Sequence, residues 1–162
     1  MKKQNIIKIG AGIILLLAAA AFLLFKSINK ERVQITYEQF QSYVQENGME
    51  FQDNRHITTS ADLGDGGAAN IAENVQVEFL ECPSEDTAKG YFDTYYNYVQ
   101  QFKDGKTTEK LTNLDHYADY VISTDVMYIR IVRINNTAMD ARVPVEHKDL
   151  VIDFMKDLGY ID

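Results

Sequence analysis

"VMYIRIVRINNTAMDARVP" runs from Val126 to Pro144, and its reading decides the fold. Arg130 alternates with Ile129 and Ile131, the period-two pattern of a strand, before the pattern drifts toward Ile134. Asn135 and Asn136 follow, and asparagine tolerates the positive φ that a two-residue hairpin turn requires. "TAMDARV" then returns as a strand, and Pro144, which has no N–H for a ladder, ends it. Strands joined by so short a turn are antiparallel. "HYADYVIST", His116 to Thr124, adds a third strand across a turn near Thr124–Asp125.

Upstream, the pattern changes to helix. In "ITYEQF", Thr36 and Gln39 form a capping box, and Ile35 and Phe40 hold the staple positions. Tyr37, Phe40 and Val44 make the apolar stripe, and Gly48 suits a left-handed stop. "MEFQD" reads as a short strand around Phe51, residues 54–69 as a polar, glycine-bearing connector, and "NVQVEFLEC" as a half-buried strand. Ser84 caps a second helix whose broad face carries Ala88, Tyr91, Phe92, Tyr95, Val99 and Phe102. Gly105 stops it, and "DGKTTEK" reads as a loop. A last helix within Glu146–Gly159 has the stripe Leu150, Val151, Phe154, Met155 and Leu158. The expected order is α-β-β-α-β-β-β-α. The expected fold is α+β: a mainly antiparallel sheet with about three helices covering one face, two layers in all.

Charge divides the chain. "IIKIGAGIILLLAAAAFLLF", Ile6 to Phe25, carries one charged residue, Lys8. Twenty helical residues span roughly 30 Å, the thickness of a bilayer's hydrocarbon core. The run exceeds the roughly 7–15 apolar residues of a signal-peptide core, and it continues through Phe22–Phe25 past the alanines where cleavage would fall. Residues 1–8 thus read as a short basic cytoplasmic tail, 9–25 (or 6–25) as an uncleaved transmembrane helix, and 26–33 as a tether. Three basic residues stand on each side of the core, so position rather than charge bias places the N-terminus inside. Of 16 Lys+Arg, six lie within residues 1–32, as does one of 24 Asp+Glu. The remaining 10 basic and 23 acidic side chains leave residues 34–162 at a net −13, read as an acidic extracytoplasmic domain. Such a surface repels nucleic acid and anionic lipid headgroups.

Few residues suggest chemistry. "DLGDGGAANIAE" matches a calcium loop at Asp62, Gly67, Asn70 and Glu73. Glycines occupy the third and fifth positions, where oxygen ligands belong, and Asp65 falls at the fourth, which does not ligate. Asp62, Asp65, Asn70 and Glu73 are therefore weak metal candidates, the stretch reads as connector, and no cofactor is implied. Cys82 reads as a buried strand-end thiol. His56, His116 and His147 have no metal-ligand spacing, and no G-x-S-x-G elbow is present, so the sequence weighs against an enzyme. The tyrosine-rich "YFDTYYNYVQQF" places Tyr96 and Tyr98 at the flanks of the second helix, where amphipathic rings suit an interface. Arg130, Arg133 and Arg142 lie on paired strands, either as a local anion site or paired with acids such as Asp119 and Asp140. These five residues are the candidate interaction surface.

The basic front with its apolar run, "SEDTAKGYF" after a strand, and the final "FMKDLGY" resemble small membrane-anchored extracytoplasmic proteins of unknown function from Gram-positive-type bacteria. The resemblance spans most of the chain and implies no catalytic residue and no substrate. What the sequence leads one to expect is a single-pass, membrane-tethered interaction or sensing module with an unidentified protein partner. A small-ligand or divalent-cation-binding domain, or an envelope hydrolase, are the alternatives.

Overall fold

The computed structural model describes residues 32–54 and 63–162. The run at 6–25, read as a membrane helix, lies outside the described residues, as do His56 and Asp62. Among the described residues no helix is long and apolar enough to cross a membrane.

Helix α1 (Tyr37–Glu46) leads into β1 (Glu50–Asp53), β2 (Asp65–Ala72) and β3 (Val75–Glu81). Helix α2 (Glu85–Val99) continues into a 3₁₀ turn at Gln100–Phe102. Then come β4 (Thr108–Asn113), β5 (Tyr117–Ser123), β6 (Met127–Ile134) and β7 (Thr137–Pro144), a 3₁₀ turn at Val145–His147, and α3 (Lys148–Asp157). All strands join one antiparallel sheet in the order β1-β2-β3-β7-β6-β5-β4. Two meanders, β1–β3 and β4–β7, meet where β7 pairs with β3.

The capping box at Thr36 and Gln39 forms in full, and Gly48 takes φ 70°. Ser84 accepts from the Thr87 N–H at the start of α2, and Asn135 adopts φ 50° in the β6–β7 turn.

Four expectations change. First, part of the expected connector is β2. Its Gly66-Gly67-Ala68-Ala69 run is buried, and at Gly67 the rings of Phe51 and Tyr37 pack too close for a side chain. Second, β4 takes over the last part of the expected loop, from Thr108, and runs on to Asn113; as an edge strand it is exposed at nearly every position and shows no alternation. The order is therefore α-β-β-β-α-β-β-β-β-α. Third, the helices cover both faces of the sheet. Tyr128, Val132 and Ile134 of β6 join the core beneath α1 and α3, while Ile129 and Ile131 point the other way, to Phe92 and Val99 of α2. Three layers, not two, result, because both faces of the central strands are apolar. Fourth, Leu150 is exposed rather than part of the α3 stripe, which Val151, Phe154 and Met155 supply.

On the α1/α3 side, Phe40 stacks on Phe79 at 4.7 Å between ring centroids and meets Phe51 and Phe154 edge-on. Each such ring contributes about 1.5–3 kcal/mol by burial. The same side holds a buried ion pair: Arg130 Nε and Nη2 donate to the two Asp119 carboxylate oxygens at 2.9 and 2.7 Å.

Two substitutions test this packing by urea denaturation. A Cβ on Gly67 would stand 2.7 Å from two Phe51 ring carbons, so Gly67→Ala should destabilise by about 1–3 kcal/mol. Arg130→Met strands a buried Asp119 carboxylate and should cost about 3–5 kcal/mol, whereas adding Asp119→Leu should recover most of that loss.

Candidate functional site

Helix α2 stands over β3 and β7 with aromatic rings at helical spacing. Tyr91, Tyr95, Tyr98 and Phe102 follow one another along it, neighbouring centroids 5.4–6.3 Å apart. Beneath them, the β3–β7 register puts Glu78 directly opposite Asp140. Two like charges at a cross-strand pair repel. Asp140 is only 5% exposed. The Tyr91 hydroxyl donates to Asp140 Oδ2 at 2.7 Å, and Tyr95 reaches the same carboxyl group.

Burial above all, and then the Glu78 charge, pushes Asp140 up to about 7, with the tyrosine hydrogen bonds pulling the other way. Burial and the Asp140 charge raise the Tyr91 and Tyr95 hydroxyls well above the ordinary phenol range, so both remain donors. On the same face of β7, Arg142 donates to the Tyr98 hydroxyl at 3.1 Å and lies over the Phe102 ring at 5.2 Å. Gln76, Glu78, Tyr95, Tyr98, Asp140 and Arg142 line a cavity of about 260 Å³. Its chemistry is a carboxylate pair at the floor, an aromatic wall and one guanidinium at the rim.

The sequence candidates divide. Tyr98 and Arg142 belong to this cleft. Tyr96 turns away and packs edge-on against Tyr120 at 4.6 Å. Arg130 lies on the opposite face, paired with Asp119. Arg133 is buried, and its guanidinium donates to the carbonyl oxygens of Leu114, Asp115 and Asn135. It borders a second cavity of about 530 Å³ beside Lys89, Asp93 and Asp115. With its donors spent on carbonyls, Arg133 works as a tie between turns, and the three arginines form no common anion site.

Of the weak metal candidates, Asp62 lies outside the described residues. Asp65 opens β2, whereas Asn70 lies near its far end, with Glu73 in the turn beyond. Five residues of extended chain separate Asp65 from Asn70 by about 17 Å. Asn70 instead hydrogen-bonds Glu50 and Gln76. Among the described residues no group of three or more His, Cys, Asp or Glu is placed to hold a metal ion. Cys82 is a buried free thiol that burial pushes up to about 11, away from the reactive thiolate. His116 is exposed beside Glu85 at 3.3 Å.

Glu78, Tyr91 and Asp140 were not sequence candidates for a site. Glu78 reads as the polar side of a half-buried strand, and Tyr91 as one ring in an apolar stripe. Only the β3–β7 pairing, between distant segments, brings the two carboxylates together.

The Asp140 proton has a consequence for stability. The folded chain holds it to about pH 7, against about 3.9 for an unperturbed aspartate. The folded state then binds more protons than the unfolded state between those values. Stability is fullest below the lower value, falls as pH rises through the window, and levels off above it. The thermal midpoint of the full chain in detergent should therefore drop from about pH 5 to about pH 8, and Asp140→Asn should flatten that slope.

Comparison of the chain with family models, with curated proteins and with solved structures yields no match, so the cleft is interpreted from its own chemistry.

Proposed function

We propose that this chain is a non-catalytic binding or sensing module, tethered to the membrane by residues 9–25 (or 6–25) with its acidic domain outside the cytoplasm, and that it recognises its target through the α2 cleft. The observation that carries the recognition site is the set of polar groups gathered beside the tyrosine ladder: Glu78, Asp140 and Arg142 around one cavity. A strongly perturbed carboxyl group in a cleft makes that cleft a candidate functional site. The apolar run supports the tether. The resemblance to small envelope-anchored proteins points the same way.

A hydrolase reading draws on the same pair, since a buried carboxyl group that keeps its proton beside a second carboxylate can act as acid and base. Binding is favoured over it because Glu78 and Asp140 stand side by side on the cleft floor. Acid–base pairs of glycoside hydrolases instead flank the bond they break.

With the anchor intact, the chain should stay in the membrane fraction after an alkaline wash, and protease added to intact cells should remove the domain. Material purified from native membranes should retain a ligand or partner that Tyr98→Ala/Arg142→Ala loses. A domain protected in intact cells would overturn the topology. Undiminished retention by the double variant would overturn the cleft, and turnover of an envelope glycan lost in Asp140→Asn would replace binding with hydrolysis.

A further inference from the structure

The opposite charges of the α2 cleft do not neutralise each other. Ion pairs among the described residues engage Arg32, Lys103, Lys106, His116 and Arg130, but not Arg142. Arg142 lies two residues beyond Asp140 on the same face of β7, about 7 Å along the strand. Its guanidinium is turned to Tyr98 and Phe102 instead of to the carboxylates. The cleft thus presents two carboxyl groups and, about 7 Å along the strand, one guanidinium, with Tyr95 and Tyr98 as its wall.

A ligand with only a positive charge would be attracted by Glu78 and Asp140 and repelled by Arg142. A purely anionic ligand meets the reverse. A molecule with both charges on neighbouring atoms satisfies both ends, each through a charge-assisted hydrogen bond of about 2.8 Å. The volume is small: about 260 Å³, against the roughly 300–1,000 Å³ of sites for drug-sized ligands.

We propose that the cleft binds a small zwitterion of the free α-amino-acid type, its ammonium group against Glu78 and Asp140, its carboxylate against Arg142, and its side chain along the Tyr95 and Tyr98 rings. This rests on the assignment of the cleft as the recognition site. The ammonium needs an ionised Asp140. That group is faced by Glu78 from β3, by Tyr91 and Tyr95 from α2 and by Arg142 along β7, while its β6 partner is the uncharged Ile131. Affinity should therefore rise as pH passes through about 7.

The full chain in detergent micelles is titrated calorimetrically with each common L-α-amino acid in turn. The tightest binder is then compared with its amide, which lacks the carboxylate, and its N-acetyl derivative, which lacks the ammonium. At least one amino acid should bind, and both derivatives should bind at least about tenfold more weakly, as should the parent to Asp140→Asn and to Arg142→Gln. Circular dichroism of the variants should match the parent chain. Silence across the amino acids overturns the assignment, as does an amide equal to its parent or a folded Arg142→Gln chain with unchanged affinity. If the titrations fail while native material still loses its ligand on Tyr98→Ala/Arg142→Ala, the ligand class falls and the recognition site stands.

Discussion

A two-residue turn fixes how the halves of the domain meet. Asn135 and Asn136 reverse the chain between β6 and β7, and their register sets which face of β7 every side chain takes. The same turn is bound from several directions. The Cys82 N–H donates to the Asn136 carbonyl oxygen at 2.8 Å, and the Asn136 side chain donates back to the Cys82 carbonyl at 2.7 Å. Gln34 exchanges hydrogen bonds with both asparagine side chains. Arg133 donates to the Asn135 carbonyl, and beside the turn Thr137 and Tyr160 join hydroxyl to hydroxyl at 2.6 Å. A slip of one residue here would turn Asp140 and Arg142 to the α1/α3 side and Met139 to the tyrosines.

Register matters because both faces of the middle strands are buried. One core draws rings from α1, β3 and α3; the other joins rings of α2 and β5 to Ile129 and Ile131 of β6. Each face also carries a charged group within the apolar surroundings, and the two are handled differently. Asp119 is matched by a bidentate guanidinium. Asp140 is buried beside the like-charged Glu78, so it keeps a proton to near neutrality even though tyrosine hydroxyls donate to it. The first arrangement is fixed and structural; the second is responsive.

Capping chemistry was legible in the sequence because it is local: Thr36 with Gln39, Ser84, Gly48 and the Asn135–Asn136 turn each need only a few neighbours. The two overlooked strands fail for opposite reasons. In β2, glycine and alanine replace the β-branched residues that signal a strand, and at Gly67 the rings of Phe51 and Tyr37 leave no room for a side chain. In β4, solvent on nearly every position erases the alternation. The drift of pattern in "IRIVRI" was the trace of a second buried face, and one helix layer was expected where two exist. Of the cleft, Tyr98 was visible as an amphipathic ring, and Arg142 as one of three arginines on paired strands. Glu78 and Asp140 gain meaning only from a pairing that unites the two meanders.

The outermost strand has a further consequence. β4 leaves one side of its backbone ladder without a neighbouring strand, a surface on which a second copy could continue the sheet. Its exposed residues include Glu109 and Lys110, and Glu109 is drawn into an ion pair with Lys103. Charges so placed make the approach of an identical strand unfavourable, at no expense to the core. The feature that hid β4 from a hydrophobic pattern thus also places charged side chains along a sheet edge, as edge strands commonly do.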